Sequence, residues 1–462
     1  MTRKLLLSIL AMMTLQAVAL DVENTAGELY KKVNDLNVST LRITGTINAV
    51  DFYYMSDYLC QLTDLDLGDV EVLSCNLPVM RYMKNHCDAD ELPVAALGSM
   101  KLTRLVLPTG LKVIGKGALA DCDQLTQITL PPKLERIDDY AFAGCSALTD
   151  VTLPASVTTV GVGAFMRCTA LTTLTTEASS NLTTLGDAAL MDCPALRTIS
   201  LGTALESVGE RALAGTGLQE LNLSENRSLT TISDWAMVQT PVQQAKLPSD
   251  LTNLGIGVFL YDTRLTGINL GNKLTAMSDF LLAGTGLTDT LSLPIVRKVG
   301  DYAFYNVSSL KSVVLPATVT WLGDSAMAGM TGLTSLVCRA PEVPDLGEHV
   351  WAGVDQSRVP LEVPVSSRAS YKEAAQWQDF IIGNTWIKGD VNGDGEVNLA
   401  DINALTDIIL RGYADEETMA RADVNGDGEV NLADINALTD LILKSGGAKL
   451  FKSKKSKRHG KK

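Results

Sequence analysis

Two stretches of twelve residues, starting 33 positions apart, hold the side chains whose types and spacing point to chemistry. Asp390-Val391-Asn392-Gly393-Asp394-Gly395-Glu396-Val397-Asn398-Leu399-Ala400-Asp401 recurs from Asp423 to Asp434 with no change at any position. In the first stretch Asp390, Asn392, Asp394, Asn398 and Asp401 offer side-chain oxygens at positions 1, 3, 5, 9 and 12, and Glu396 a carbonyl at position 7. Asp423, Asn425, Asp427, Asn431, Asp434 and Glu429 repeat the set. A ring of hard oxygen donors suits a hard cation that takes six to eight of them, which points to calcium, and Gly395 and Gly428 stand where such a loop must turn sharply. Two unrelated acidic turns would have to produce both donor sets and both glycines independently.

Signatures of catalysis are absent from the sequence. It contains no H-E-x-x-H, G-x-S-x-G or phosphate-binding loop, and its three histidines, His86, His349 and His459, are far apart in sequence. The fragments Gly161-Val162-Gly163 and Gly255-Ile256-Gly257 lack a third glycine and read as turns. Paired carboxylates on a repeat surface stay compatible with glycoside hydrolysis.

The elements that must position the loops come next. Each loop runs into an apolar segment at helical spacing, Ile402 to Leu410 and Ile435 to Leu443, whereas Trp386 to Gly389 offers no incoming helix. The loops therefore match the EF-hand pattern, with Asp in place of Glu at position 12, but only its second half. Two loop-helix motifs joined by a short connector, Gly412 to Ala422, resemble a type I dockerin, assigned to residues 388–445. That resemblance implies a small all-α calcium-binding fold and a cohesin-like partner. It also implies that loop positions 10 and 11 and the exposed face of the next helix bind that partner: Leu399, Ala400, Thr406, Asp407 and Arg411, with their twins Leu432, Ala433, Thr439, Asp440 and Lys444. The Leu-Ala pair departs from the Ser/Thr pair common in clostridial dockerins.

Most of the chain before the loops repeats a different unit. The stretch Leu125 to Ala147 recurs with its lead residue at Leu102, Leu125, Leu148, Leu171, Leu196, Leu218, Val242, Leu265, Leu287, Leu310 and Leu333, in steps of 22 to 25 residues. So short a period, held so long, predicts a stacked solenoid in which each unit buries its apolar edge against its neighbours. Within the unit, Leu125, Ile128 and Leu130 alternate as a short strand that Pro131 ends, since proline has no N–H for the ladder. The pair Ala141-Phe142 is expected to fill the coil, and the equivalent slots are read at Ala118-Leu119, Ala164-Phe165, Ala189-Leu190, Ala212-Leu213, Ala236-Met237, Val258-Phe259, Phe280-Leu281, Ala303-Phe304 and Ala326-Met327. The pattern L-x-x-I-x-L-P…I-x-x-x-A-F-x-x-C/T resembles the leucine-rich repeats of BspA-type bacterial surface proteins, with Pro108, Pro131, Pro154, Pro248, Pro294 and Pro316 after the strand. It implies a solenoid with a parallel β face and some α+β character, and binding or adhesion in place of catalysis.

The rest frames the array. Residues 1–19 read as a secretory signal: Arg3 and Lys4, then an apolar run from Leu5 to Leu15, then the small-x-small site Ala17-Val18-Ala19. The run is too short to span a bilayer, so no transmembrane segment is expected. Residues 20–100 are assigned to an N-terminal cap and weak repeats, with a helix around Leu29 to Leu36 and strands at Leu41-Arg42-Ile43 and Leu62 to Leu67. Residues 101–340 form the solenoid. Residues 341–387 form a C-terminal cap, with a strand at Leu361-Glu362-Val363-Pro364 and a short helix carrying Tyr371, Ala375, Trp377, Phe380 and Ile381; the aromatics read as cap residues or as a ligand platform.

Charge and cysteine usage complete the picture. A net charge of −14 argues against general affinity for nucleic acid. Residues 446–462 form a basic tail, expected to be disordered, in which eight of the fourteen residues from Lys449 are Lys or Arg; its functional reading is a tether to anionic surface polymer. Cys122, Cys145, Cys168 and Cys193 share one slot in successive repeats, and later coils are read with Thr216, Thr240, Thr263 and Thr285 there, so a buried, reduced cysteine ladder is expected. Cys60, Cys75 and Cys87 remain free to pair in any combination. The whole reads as a secreted or cell-surface, non-catalytic binding protein: a solenoid facing a protein or glycan, and a dockerin fixing it to a larger assembly. The alternative is an accessory or unrecognised hydrolase subunit of a polysaccharide-degrading complex.

Overall fold

The computed structural model describes residues 18–77, 86–382, 389–392, 397–412, 414 and 416–455. The chain divides into two compact units, one running to Ser335 together with Pro344–Asp355, the other made of Leu336–Val343 and the chain from Gln356. The first is a parallel β-solenoid. The lead residues of all eleven repeats are buried, from Leu102 to Leu333, which is what a period near 23 requires of a stack that has no other core.

The ladder begins earlier than the repeat pattern does. Strands β1 (Val18–Asn24), β2 (Val38–Ile47) and β3 (Asp64–Val72) pair in parallel and continue into Arg104–Val106, so the N-terminal region is itself made of coils. The expected helix at Leu29 to Leu36 is only α1 (Leu29–Lys32); α2 (Ala49–Tyr58) was not anticipated. Helix α2 forms because Asn48 Oδ1 accepts the Val50 N–H (2.9 Å) and Asp51 reaches back to the Asn48 N–H (3.0 Å), a reciprocal cap. Asp51 also accepts the Gly27 and Leu29 N–H groups, which ties α1 to α2.

Beyond Leu102 each coil has three sides. One carries short strands such as Asp150–Leu153, whose residues alternate exposed and buried. The second carries two-residue strands, eight of which, from Glu91–Leu92 to Asn253–Leu254, form one parallel sheet. Strands thus line two sides, where one was expected. On the third side there is no strand, yet the stacking is as regular: the N–H of Phe142 donates to Ala164 (2.7 Å), that of Phe165 to Ala189 (2.8 Å) and that of Leu190 to Ala212 (2.8 Å). Carboxylates cap this turn. Asp139, Asp187, Asp234, Asp279, Asp301 and Asp324 each accept a backbone N–H of the next coil at 2.7–3.0 Å. The turn also needs left-handed backbone: Gly257 lies at φ +57°, where an added Cβ would sit 2.4 Å from the Trp235 ring that covers it.

The apolar spine lies inside this triangle. Ala141, Phe142 and Cys145 are fully buried, and the Phe142 and Phe165 rings stack 5.0 Å apart. Two slots move. The Phe-equivalent in its coil is Leu282, whose N–H donates to Ala303, and its partner is Leu281; Phe280 instead takes the turn position at φ +56° and stacks on Tyr302 at 4.9 Å. The small-residue slot after Val258-Phe259 is Asp262, not Thr263; its carboxyl accepts the Thr240 N–H (2.8 Å) and meets the Thr240 hydroxyl (3.0 Å), and burial pushes its pKa up to about 8. The cysteine ladder is present. The thiols of Cys122, Cys145, Cys168 and Cys193 donate to the carbonyls of Leu97, Leu119, Phe142 and Phe165 at 3.1–3.2 Å. Burial pushes those of Cys122 and Cys193 up to about 12 and raises the other two as well, which leaves them unreactive.

In the second unit Leu336 and Val337 pair with Leu361 and Glu362. Helix α3 (Arg368–Glu373) buries Tyr371, whose hydroxyl lies 3.2 Å from the Cys338 sulfur and donates to the Ala340 carbonyl (3.1 Å). Trp377 meets Tyr371 edge to face at 5.3 Å and is itself buried. These aromatics are core residues and offer no ligand platform.

Candidate metal centre and docking face

The C-terminal module consists of α4 (Leu399–Arg411), α5 (Glu416–Ala422) and α6 (Leu432–Lys455). The connector therefore contains a helix of its own. Helix α6 also runs on to Lys455, into the segment expected to be disordered; extending an existing helix is far cheaper than nucleating one, and Ala, Leu and Lys are good helix formers. Residues 456–462 lie outside the described residues. The core is small and two-fold repetitive: Val391 and Val424, Leu405 and Leu438 are buried with Ala422, and Ile402 and Ile435 pack against them.

Helix α4 starts where the loop ends because the same residues serve both. Asn398 Oδ1 accepts the Ala400 N–H (2.7 Å), and Asp401 accepts the Asn398 N–H (2.8 Å) through one oxygen and the Asn392 N–H (3.1 Å) through the other. Gly412, at φ +72°, ends the helix with its N–H on Ile408. The second copy repeats this: Ala433 N–H to Asn431 (2.8 Å), Asn431 N–H to Asp434 (2.9 Å), Asn425 N–H to Asp434 (3.0 Å). Asp401 and Asp434 are wholly buried. In an isolated helix these caps would be enough reason for the residues; here they also turn two carboxylates into the loops.

The second loop is described throughout and shows how the donors gather. Asp423 accepts the N–H groups of Gly426 (2.7 Å), Asp427 (3.1 Å) and Gly428 (2.9 Å). Asn425 Oδ1 accepts the Asp427 N–H (2.7 Å), its amide donates to Asp427 Oδ2 (2.8 Å), and Asp427 Oδ1 accepts the Glu429 N–H (2.9 Å). Gly426 and Gly428, at φ +82° and +88°, permit this tight winding. Among the described residues no Lys or Arg forms an ion pair with Asp423, Asp427 or Asp434, and no three or more His, Cys, Asp or Glu side chains gather there into a group that could hold an ion. The donor types that the sequence offers in these loops are carboxylates, side-chain amides and a carbonyl, all hard oxygens. That composition fits calcium. In the first loop Asp390 is buried and Asn392 exposed; Asp394 and Glu396 lie outside the described residues.

The residues assigned to partner binding sit at equivalent places in the two copies. Leu399 and Leu432 are 69% and 70% exposed, and Ala400 and Ala433 are exposed beside them. Asp407 and Arg411 form an exposed ion pair (3.2 Å), and Asp440 is exposed too. Thr406 and Thr439 are half-buried, their hydroxyls donating to Ile402 and Ile435 within their own helices (2.7 Å). The side chain of Lys444 lies outside the described residues. Leu410 and Leu443, taken from the sequence as apolar helix positions, are 79% and 66% exposed; their place eleven residues after Leu399 and Leu432, three helical turns on, was the available signal.

A parallel β-solenoid of about fifteen turns followed by duplicated loop-helix motifs defines a repeat-built protein with a helical module. Residues 91–212, 183–295 and 285–359 match the BspA type leucine rich repeat region in six copies, and residues 388–443 match the type I dockerin domain. The repeat match spans more than half of the chain, which belongs to the BspA-type leucine-rich repeat family and carries a type I dockerin. Similar solved structures include a leucine-rich repeat protein from Bacteroides ovatus, at 23% identity and a TM-score of 0.46 over 66% of this chain and 89% of that one. A leucine-rich cell surface protein from Faecalibacterium prausnitzii follows, at 20% identity and 0.31 over 57% and 86%. The pneumococcal vaccine antigen PcpA is similar at 16% and 0.29 over 70% and 68%. No curated protein matches the chain. Type I dockerins are calcium-binding modules and imply a cohesin partner; a leucine-rich solenoid implies a protein partner. Repeats and modules of both types are typical of extracellular or cell-surface proteins, and among the described residues no helix is long and apolar enough to cross a membrane.

Proposed function

We propose that this is an exported, non-catalytic binding protein, whose solenoid takes a protein or glycan and whose dockerin docks on a cohesin-like partner when calcium is bound. Asp390, Asn392, Asp394, Asn398 and Asp401 with the Glu396 carbonyl hold one ion. Asp423, Asn425, Asp427, Asn431 and Asp434 with the Glu429 carbonyl hold the other. Bound calcium cancels the repulsion among carboxylates and fixes each loop at the start of its helix. The docking face is formed by Leu399, Ala400, Thr406, Asp407 and Arg411, or equally by Leu432, Ala433, Thr439, Asp440 and Lys444.

One observation carries this reading: the same two leucines stand about 70% exposed at the same loop position in both copies, beside aspartates that are wholly buried. A leucine on a solvated loop gains nothing from exposure, and a large apolar group held out by a rigid cap is suited to a partner's pocket. The test is retention of the full chain on an immobilised cohesin in calcium. Changing Leu399 and Ala400 to Asp should weaken retention little, and changing Leu432 and Ala433 as well should abolish it. Undiminished retention of the fourfold variant would remove these residues from the docking face.

A further inference from the structure

The only antiparallel pairing among the described strands lies outside the coils. Strand β3 ends at Val72, and Asp90 meets it there, its N–H donating to the Val72 carbonyl (3.1 Å) to form a neck. Just above the neck β4 (Cys75–Asn76) pairs with β5 (His86–Cys87), with Cys75 directly opposite Cys87 and Asn76 opposite His86. The side chains bear out the register: His86 Nδ1 lies 2.8 Å from Asn76 Oδ1. Successive side chains of a strand point to opposite faces, so Cys75 and Cys87 share the other face. Directly opposite residues of an antiparallel pair have Cα atoms roughly 4.5–5.5 Å apart, inside the window of roughly 4.4–6.8 Å that a disulfide spans.

We propose that Cys75 and Cys87 form an intramolecular disulfide that locks the β4–β5 pair above this neck. Both are thiols in this structure. Cys75 is half-exposed and Cys87 buried, which sets the order of events with a small-molecule disulfide as oxidant. The Cys75 sulfur loses its proton and attacks one sulfur of the oxidant, breaking its S–S bond and releasing one thiol. The Cys87 sulfur, deprotonated in turn, attacks the Cys75 sulfur of the mixed disulfide and expels the second thiol. Two protein thiols are oxidised and one external disulfide is reduced to two thiols. The ladder cysteines do not compete, since each is fully buried with its S–H on a carbonyl of the preceding coil. Cys60 is exposed just beyond α2 and belongs to no strand.

The experiment incubates the full chain with glutathione disulfide, quenches with acid, alkylates in denaturant and counts modified thiols by mass, with peptide mapping. The eight cysteines should take up two labels fewer than in the reduced chain, and mapping should return a Cys75–Cys87 linked peptide. The Cys75→Ser chain, altered at the accessible position, should take up a label at Cys87. Full labelling of both residues in the oxidised wild type, a stable glutathione adduct on Cys75, or a link from Cys60 to either would overturn the proposal.

Discussion

The solenoid and the dockerin are both built by repetition, but they repeat different things. In successive coils the spine holds Leu119, Phe142, Phe165, Leu190, Leu213, Met237 and Phe259, all buried; only apolarity is kept, and side-chain shape varies. The two loops keep all twelve residues. Burial is non-directional, so neighbouring coils adjust to one another's bulk. A cage of oxygens has no such freedom, because each ligand place needs an oxygen at a set distance. The solenoid should therefore break where a charge enters its spine, and the dockerin where carbon replaces oxygen. The first of these has the largest expected effect. Phe142→Asp puts an unpaired carboxylate between the Leu119 and Phe165 layers and costs several kcal/mol, roughly the 3–5 kcal/mol of losing the ring plus the burial of a charge. Thermal melting by circular dichroism should show loss of the solenoid transition; a soluble variant with an unchanged melt would disprove the register.

Replacing oxygen is expected to break only the smaller unit. Between Asp390 and Leu443 stand thirteen acidic residues against two arginines, so without calcium the module carries repulsion that a core of five buried residues must offset. Modules of this kind outside the cell bind calcium with dissociation constants of roughly 10⁻⁴ to 10⁻³ M or tighter, so millimolar calcium contributes on the order of 1 kcal/mol per loop, and more if binding is tight. Three of the six described α-helices, including the two longest, belong to this module, so far-UV dichroism of the full chain reports on it directly. EGTA should remove much of the helical signal. Asp390→Ala with Asp423→Ala should do the same in calcium, with the solenoid melt unchanged. A helical signal indifferent to both would count against calcium.

What was legible from the residues follows the same division. The solenoid announced itself because its core positions are periodic, and the loops because their donor spacing is rare. Slots filled by residues of the wrong class were misplaced: Asp262 was passed over for Thr263 since a carboxylate is not expected in a spine, and Phe280 was taken for core since its half-buried stacking on Tyr302 leaves no trace in the pattern. In the N-terminal region, read as a cap with weak repeats, the strands at Leu41-Arg42-Ile43 and Leu62 to Leu67 were legible as parts of β2 and β3, while β1 was not, because inserted helices break the 23-residue rhythm there. The second side of strands was missed for another reason: two-residue strands such as Arg136–Ile137 are held by the neighbouring coils and are too short to show an alternation of their own.

Asp262 offers the smallest and sharpest test of the comparison, because it places an oxygen ligand's chemistry inside the spine. Its carboxyl sits where Cys145 and Thr216 sit in other coils, wholly buried, and its contacts to the Thr240 N–H and hydroxyl offset only part of the desolvation that raises its pKa from the ordinary 3.8 to about 8. A calcium loop of the proposed kind uses its carboxylates as anions; in the spine the neutral acid is the form that packs. The sign follows from proton binding. In the unfolded chain the group ionises near 3.8 and in the folded chain near 8, so its contribution is fully present below about pH 4 and is lost as pH rises through about 8. The slope cannot exceed about 1.4 kcal/mol per pH unit for one proton, and charges elsewhere change stability over the same range. The difference from Asp262→Asn removes those, since the amide keeps an acceptor for the Thr240 N–H and cannot ionise. The variant should gain melting temperature on the wild type, by a few degrees overall, steadily from pH 4 to pH 8, and by no more above it. A difference independent of pH would mean that Asp262 stays ionised, with its two contacts to Thr240 outweighing burial.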